Sequence, residues 1–205
     1  MILSDSEILR LMASGRLSIR PFDESQLTPN GVDLAVGEEA MIMDGESSGR
    51  RLSLGEGSEL EIPPCSHVLV ATREYLEIPP DVVGLVNLRS TYARKGLVIP
   101  PTVVDAGYKG RLTLAIRGAP YPLRVAFGER IWHLVLVESH KASRPYSGKY
   151  QGSLGLVAAP KRGRSAAPAR PPGRSARSPP APLSSYRKAP CPRGTAPRPC
   201  RRGRS

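Results

Sequence analysis

The stretch "VVDAGYKGRLTLAIRG" (residues 103–118) places an acid, a tight turn and an alternating strand next to one another. The acid is Asp105, the turn contains Gly107 and Gly110, and residues 111–116 alternate between polar and apolar side chains. A carboxylate beside a glycine turn orients a water, accepts its proton or binds a sugar hydroxyl, although Asp before Gly is also ordinary turn chemistry. The stretch therefore predicts a β-strand with a candidate site at its start, and it raises the question why Ala115 is so small.

Short β-type segments occur on both sides of this stretch. Residues 4–14 instead have helical spacing, with Ser4 or Asp5 as the cap and Gly15 at the end. Many short strands separated by turns are typical of sandwiches and barrels rather than of βαβ units. The sequence predicts an all-β, jelly-roll-like barrel or sandwich with one short N-terminal helix and with strands at 16–22, 31–37, 40–44, 67–78, 82–88, 96–100, 110–118, 122–128 and 130–139.

The charge of the chain is concentrated at its C-terminus. The whole chain has 30 Lys and Arg and 18 Asp and Glu, but residues 161–205 hold 13 of the basic residues and none of the acids. Residues 1–160 therefore carry 17 basic and 18 acidic side chains and are nearly neutral. The sequence predicts a catalytic domain at 1–160 and a basic, Pro/Arg/Ala-rich tail at 161–205 that is too poor in apolar side chains to fold.

Two interpretations of the tail remain open, a solvated appendage and a weak, salt-sensitive contact with nucleic acid. The appendage is favoured, because nothing in the tail indicates chemistry. The N-terminus lacks the cations of a signal peptide, and no apolar run approaches the ~18 residues of a membrane span. These features predict a cytoplasmic protein without membrane contact.

Two further segments contain candidate ligand-binding residues. The segment "LRSTYARKGL" (88–97) combines Arg89 and Arg94 with hydroxyl groups, which is either a phosphate-binding cluster or a solvated helical turn. The segment "RPYSGKYQGSLG" (144–155) follows the last predicted strand and is either a mobile lid over a ligand or an ordered exit loop.

Taken together, these segments resemble the dCTP deaminase and dUTPase superfamily over nearly all of residues 1–155. The resemblance lies in "GVDLAVG", "TREYLEIPPDVVGLVNLRSTYARKGL", "VDAGYKGRLTL", "GERI" and "RPYSGKYQ", in this order. Among its members, the chain looks most like the archaeal-type dUTPases of the dCTP deaminase family. The resemblance implies a jelly-roll-like protomer in a homotrimer, with active sites shared between subunits and closed by the C-terminal segment.

The superfamily contains enzymes that hydrolyse dUTP, enzymes that deaminate dCTP, and enzymes that do both. Its deaminases use a glutamate in the strand after the Asp turn, and the alignment places that glutamate at Ala115. A methyl group cannot exchange protons, and residues 114 and 116–118 contain no carboxylate that replaces it. The zinc route to deamination is not indicated either, because the His and Cys residues do not form the H-x-E and P-C-x-x-C signature.

Asp105, by contrast, matches the aspartate with which dUTPases activate water. The resemblance implies a dUTP diphosphatase that yields dUMP and pyrophosphate, keeps uracil out of DNA and supplies dUMP for dTMP synthesis. Mg²⁺ is expected mainly on the triphosphate, because it keeps most of its waters and needs few protein ligands. The implied substrate-binding residues are Arg89, Ser90, Thr91, Arg94, Tyr108, Lys109, Gly110, Thr113, Leu114, Tyr146, Lys149 and Gln151, with Tyr108 under the deoxyribose and the backbone of residues 110–116 against uracil.

Three features depart from the family pattern and keep alternatives open. His133 stands where the family usually has Gln, the turn "RGAP" (117–120) replaces a polar position, and "GKYQG" (148–152) is shorter than in many deaminases. The alternatives are a dCTP deaminase or bifunctional enzyme, disfavoured by Ala115, and a non-catalytic nucleotide-binding paralogue.

Overall fold

The computed structural model describes residues 1–142 and 144–160, and Met1–Pro160 form one compact unit. The predictions for the tail at 161–205 lie outside the described residues, and the division into two domains stays a prediction. The described residues contain two α-helices, α1 (Asp5–Ala13) and α2 (Ser90–Arg94), and a short 3-10 helix at Glu24–Gln26. The strands are β1 (Ser18–Arg20), β2 (Leu27–Thr28), β3 (Gly31–Met43), β4 (Gly49–Ser53), β5 (Glu59–Ile62), β6 (His67–Glu77), β7 (Val82–Leu88), β8 (Thr102–Val104), β9 (Lys109–Arg117), β10 (Leu123–Ala126) and β11 (Arg130–Glu138).

Helix α1 forms where its spacing predicts it. The Ser4 hydroxyl accepts a hydrogen bond from the backbone N–H of Glu7, which identifies Ser4 rather than Asp5 as the cap. Ile8 and Leu11 are buried, and Gly15 follows the helix with a φ of 69°. The left-handed conformation at Gly15 is one that a residue without a Cβ adopts at no steric cost.

The strands form one curled, antiparallel sheet and a small second one. The large sheet runs β1-β6-β3-β11-β7-β8, with β2 and β4 also pairing with β3, and with β9 pairing with β6. Strand β3 pairs with β11 near its start and with β6 from Val36 onward, across an irregularity between Val36 and Ala40, and its second half also pairs with β4. A strand that changes partners at a bulge turns a corner between two layers. This geometry confirms the predicted all-β, jelly-roll-like class.

Several predicted element boundaries are wrong. The segments 31–37 and 40–44 are one continuous strand, β3, because the polar residues between them remain in the ladder. Residues 96–100 do not form a strand, although Val98 pairs with Arg117 in an isolated bridge. The turn-rich stretch 45–64 contains β4 and β5, and residues 102–104 form the short strand β8. Helix α2 adds a second, five-residue helix to the single predicted one.

The core lies between the layers and is formed by apolar residues from every part of the described chain. Trp132, Leu34, Leu76 and Ile116 are among its fully buried side chains. The alternation of β9 determines which of its side chains point away from the core. Its residues at 110, 112, 114 and 116 face the core, so the intervening residues at 111, 113 and 115 face the opposite side.

Candidate functional site

The outward face of β9 borders a cavity of about 530 Å³, which is within the usual size range of small-molecule sites. The cavity lies between β9, β8 and the turn that follows it, the start of β6, the end of β3 and the segment 144–160. Its lining is Met43, Glu46, His67, Leu69, Thr102, Val103, Val104, Asp105, Tyr108, Arg111, Leu112, Thr113, Ala115, Tyr146, Tyr150, Ser153, Val157 and Ala159.

The turn between β8 and β9 presents Asp105 to this cavity. Gly107 and Gly110 adopt φ values of 84° and 145°, which are strained for residues with a Cβ. A Cβ on Gly107 would lie 2.5 Å from the Cβ of Pro145, and one on Gly110 would lie 2.8 Å from the Tyr108 hydroxyl. Both glycines are therefore required by backbone conformation and by the close approach of neighbouring groups. The Asp105 side chain is exposed, and its backbone carbonyl accepts a hydrogen bond from Tyr108 N at 3.1 Å.

Tyr108 forms part of the cavity wall and is itself buried. Its hydroxyl donates to the carbonyl oxygen of Arg111 at 2.8 Å, and its ring centroid lies 5.7 Å from that of Tyr146. Burial raises the pKa of Tyr108 to about 12. The side chain is therefore a neutral phenol with a fixed ring orientation, which suits it to contact an apolar face of a ligand.

The outward residues of β9 answer the question about Ala115. Arg111, Thr113 and Ala115 all line the cavity, so the small side chain at 115 leaves open space in the wall. Leu114 points the other way and is buried in the core, so only its backbone is available to a ligand. Arg111 was not predicted as a site residue, and its guanidinium lies 3.3 Å from the exposed carboxylate of Glu38.

Sequence reasoning also missed Glu46, which lines the cavity from the connection between β3 and β4. Glu46 is about 70 positions from Ala115 in the sequence, so no local pattern connects the two. The sequence analysis excluded a replacement acid only among the neighbours of Ala115 along the strand. The fold adds a second carboxylate to a cavity that already contains Asp105.

The segment 144–160 lies along β9 and forms one side of the cavity. Arg111 N donates to Ser153 O at 2.7 Å, and Val157 N donates to the Thr113 hydroxyl at 3.0 Å. Tyr146 lies at the cavity, and its N–H donates to Ala106 O at 2.9 Å. In this structure the segment is docked on the body of the protein, as the exit-loop interpretation expects.

Gln151 holds the same segment against the glycine turn. Its amide nitrogen donates to Gly107 O at 3.0 Å, and its amide oxygen accepts from Lys109 N at 2.9 Å. Both polar ends of the side chain are therefore engaged with backbone. Gln151 therefore holds the segment against the turn that contains Asp105, and its side chain does not line the cavity.

The two predicted lysines lie away from the cavity lining. The Lys109 ammonium group lies 2.9 Å from a carboxylate oxygen of Glu77, which raises the pKa of Lys109. The Lys149 ammonium group lies 4.8 Å from the ring centroid of Tyr150. Gly110 contributes backbone to the turn, and its pairing with Ser153 joins β9 to the C-terminal segment.

The arginine cluster at α2 does not line the cavity in the described part of the chain. Ser90, Thr91 and Arg94 are exposed, and the Arg94 side chain forms no hydrogen bond or ion pair within the described residues. Arg89 forms an ion pair with Asp33, in which Nε lies 2.9 Å from Oδ2. A single protomer therefore has the predicted acid and the predicted arginines in separate places.

Asp33 is a buried residue that the sequence analysis quoted only as part of a motif. Its side chain is 8% exposed, and its second oxygen lies 3.0 Å from Nδ1 of His133. An acid among the apolar residues of "GVDLAVG" (31–37) was the available signal, because a buried carboxylate needs a partner. The identity of the partners depended on the fold.

The described residues contain no group of three or more His, Cys, Asp and Glu side chains placed to hold a metal ion. Asp105 supplies a carboxylate oxygen in the cavity, which is a ligand type that Mg²⁺ accepts. In the same residues no helix has the length and apolar character needed to cross a membrane.

The described residues form a mostly β protein with a cavity beside a glycine turn, and comparison with known proteins identifies its family. A model of the dCTP deaminase-like family matches residues 2–139. The chain belongs to this family, which confirms the superfamily resemblance.

Two relatives illustrate the activities found among similar proteins. The chain is 41% identical over 160 residues to the probable deoxyuridine 5'-triphosphate nucleotidohydrolase of Sulfolobus islandicus rod-shaped virus 1, and the match covers 78% of this chain and 98% of that protein. It is 42% identical over 167 residues to the dCTP deaminase of Aeropyrum pernix, covering 76% of this chain and 94% of that protein. Both relatives are named as enzymes that act on pyrimidine deoxynucleotides.

A solved structure shows the same fold. The crystal structure of 2'-deoxycytidine 5'-triphosphate deaminase from Agrobacterium tumefaciens matches with a TM-score of 0.59 and 22% sequence identity, covering 68% of this chain and 48% of that one. The chain thus spans about half the length of that deaminase, and the likeness concerns the fold alone.

Proposed function

We propose that the chain is a dUTP diphosphatase that hydrolyses dUTP to dUMP and pyrophosphate. The observation that supports this most is the cavity wall itself, where Asp105 is present at the glycine turn and a methyl group occupies position 115. Cleavage of a phosphoanhydride needs an oriented water and a proton acceptor, whereas deamination of a base needs a proton shuttle beside the ring. Asp105 meets the first requirement, and Ala115 does not meet the second.

In the proposed reaction Asp105 orients a water and accepts its proton as the water oxygen bonds to the α-phosphorus. The bond between the α-phosphorus and the α–β bridging oxygen breaks, and pyrophosphate leaves with the bonding electrons. A Mg²⁺ bound to the triphosphate would offset part of its negative charge and so favour attack by the water that Asp105 orients. The ring of Tyr108 lies under the deoxyribose and disfavours a 2'-hydroxyl, while the backbone of β9 contacts uracil beside Ala115.

The separation of Asp105 from α2 supports a second part of the proposal. Arg89, Ser90, Thr91 and Arg94 would bind the phosphates of a nucleotide whose base lies in the cavity of another subunit. Such a site is complete only in a closed homo-oligomer, and we propose a homotrimer. Tyr146 closes the site from the C-terminal segment, and Gln151 holds that segment on the turn through the backbone of Lys109. Lys149 lies next to Tyr150 of the cavity wall.

Product analysis with dUTP, dCTP and UTP, each with Mg²⁺, tests the reaction type and the sugar selectivity together. We expect pyrophosphate release from dUTP, little from UTP, and no sustained ammonia release from dCTP. Asp105→Ala should lower the turnover of dUTP by 10²-fold or more while the variant keeps the wild-type melting temperature, because Asp105 is exposed. Ammonia release from dCTP with dUTP left intact would overturn the proposal.

A second candidate, dCTP deamination, is favoured by one observation, the presence of Glu46 in the same cavity as Ala115. If wild-type protein releases ammonia from dCTP, Glu46→Gln tests whether this carboxylate replaces the missing glutamate. Loss of ammonia release in Glu46→Gln with dUTP hydrolysis retained would support that role. A nucleotide-binding paralogue would instead bind dUTP without releasing either product.

A further inference from the structure

The carboxylate of Asp33 lies between two cationic or potentially cationic side chains from distant parts of the chain. Arg89 Nε lies 2.9 Å from one carboxylate oxygen, and His133 Nδ1 lies 3.0 Å from the other. The Asp33 side chain is 8% exposed, whereas those of His133 and Arg89 are 25% and 43% exposed. The acid of this cluster is therefore buried, while its partner Arg89 reaches the surface at the start of α2.

Arg89 is fixed at more than one atom of its guanidinium. Besides the Nε contact with Asp33, Nη1 donates to the carbonyl oxygen of Arg130 at 3.1 Å. Its backbone N–H also donates to Ile131 O at 2.9 Å. Nη2 makes no hydrogen bond within the residues that the structure describes, so it is the donor left for a ligand. A planar guanidinium held at two of its three nitrogens presents its remaining donor in a defined direction.

His133 in turn holds the carboxylate. Its ring lies against the backbone of Gly31, where a Cβ would be 2.9 Å from Nε2 and from Cε1 of the imidazole. With a proton on Nδ1, the imidazole donates to the carboxylate oxygen of Asp33. Asp33 is thus anchored by β11 while it anchors the residue that precedes α2.

We propose that Asp33, braced by His133, is a positioning residue that fixes the guanidinium of Arg89 for a phosphate group of the nucleotide. The inference rests on the proposed function, because Arg89 is a phosphate-binding residue only there. Ordering the arginine before the ligand arrives removes part of the entropy that binding would otherwise cost. Asp33 itself does not contact substrate in this arrangement.

The substitution Asp33→Asn separates positioning from charge, because the two effects have opposite signs. The variant loses a negative charge beside Arg89, so charge alone predicts tighter binding of a polyanion. Positioning predicts weaker binding, since the amide holds Arg89 without an ion pair. The His133 imidazole can carry its proton on Nε2 instead, so that Nδ1 accepts a hydrogen bond from the new amide. The variant therefore keeps its buried partners and is expected to fold.

Calorimetric binding of inorganic pyrophosphate to the full chain provides the test. We expect Asp33→Asn to weaken pyrophosphate binding at least threefold, with a melting temperature near that of the wild type. Asp81→Asn is the matched control, because Asp81 pairs with Arg16 away from α2 and from the cavity, and it should leave binding unchanged. Equal or tighter binding by Asp33→Asn overturns the inference.

A second pair of variants tests the role of His133 if Asp33→Asn does not fold. His133→Gln keeps a donor for Asp33 and should bind pyrophosphate as the wild type does, whereas His133→Leu should weaken binding in the same direction as Asp33→Asn. Unchanged binding by His133→Leu overturns the inference. Hydrolysis of dUTP by the wild type is measured separately, so failure of the proposed function is distinguished from failure of this inference.

Discussion

Single side chains fix the geometry of the cavity wall, and Tyr108 is the clearest case. Its hydroxyl donates to Arg111 O, and this bond connects the glycine turn to the first outward residue of β9. The ring of Tyr108 is buried in the core and also borders the cavity.

Tyr108→Phe removes this hydroxyl and leaves the carbonyl of Arg111 without its donor. We expect the free energy of unfolding to fall by about 1–2 kcal/mol, which is the usual cost of losing a buried hydrogen-bond partner. Denaturant titration measures the change. Tyr121→Phe is the control, because its hydroxyl donates to a backbone carbonyl at an exposed position where water replaces it.

The raised pKa gives this prediction a pH dependence with a definite sign. Folding raises the pKa of Tyr108 from 10.0 to about 12, so the folded state favours the protonated phenol. The stabilisation by the hydroxyl is fully present below pH 10 and is lost as the pH rises through 10 towards 12. The difference between wild type and Tyr108→Phe should therefore be constant from pH 7 to 9 and shrink by pH 11, and a difference that grows would contradict the assignment.

At the scale of elements, the irregular part of β6 connects the sheet layers. The pairing of β6 with β9 shifts register between Ala71 and Tyr75, and side chains inside this shift satisfy backbone groups. Leu112 N donates to the Thr72 hydroxyl at 3.0 Å. The buried carboxylate of Glu74 accepts from Ala35 N at 3.0 Å and from the Gln26 amide at 2.8 Å, which joins β6 to β3.

Glu74→Gln tests this connection. The new amide N–H₂ would face the donors of Ala35 and Gln26, and we expect a loss of about 1–3 kcal/mol in the free energy of unfolding. Burial raises the pKa of Glu74, so its contribution to stability is greatest below the unfolded value of 4.5 and declines as the pH rises through the folded value. The destabilisation caused by Glu74→Gln should therefore grow as the pH falls towards 4.5.

Glu61→Gln serves as the control for this series, because Glu61 is exposed and forms a surface ion pair with Arg124. Its effect should stay within about 0.5 kcal/mol, as is typical of exposed pairs. A Glu74→Gln penalty that is no larger than that of Glu61→Gln at any pH would show that Glu74 does not join the two strands in the way described.

At the scale of the whole molecule, the separation of Asp105 from α2 leads to a complementation test. Asp105→Ala and Arg94→Gln remove exposed side chains, so each variant should fold and be inactive on its own. If each site uses Asp105 from one subunit and Arg94 from another, refolding an equal mixture should restore about a quarter of wild-type dUTP hydrolysis, by random assembly of a symmetric trimer. No recovery beyond the sum of the separate variants would argue against shared sites.

The sequence by itself determined the features that depend on neighbours along the chain. The capped helix α1, the alternation of β9 and the glycine turn at Asp105 all follow from local spacing and from the backbone freedom of glycine. The mostly β class followed from the density of such short segments. The strand boundaries predicted from the sequence were wrong where polar residues continue a strand, as in β3, and where strands lie in a stretch rich in turn residues, as β4 and β5 do.

Only the tertiary structure decided which distant side chains meet. It brought Asp33 to Arg89 and His133, and Gln151 to the turn at Gly107. It also placed Glu46 in the wall of the cavity that Ala115 of β9 lines. These contacts join residues tens of positions apart, and the period of a helix or a strand holds no information about them. Their energy depends on burial and on partner geometry, which exist only once the chain has folded.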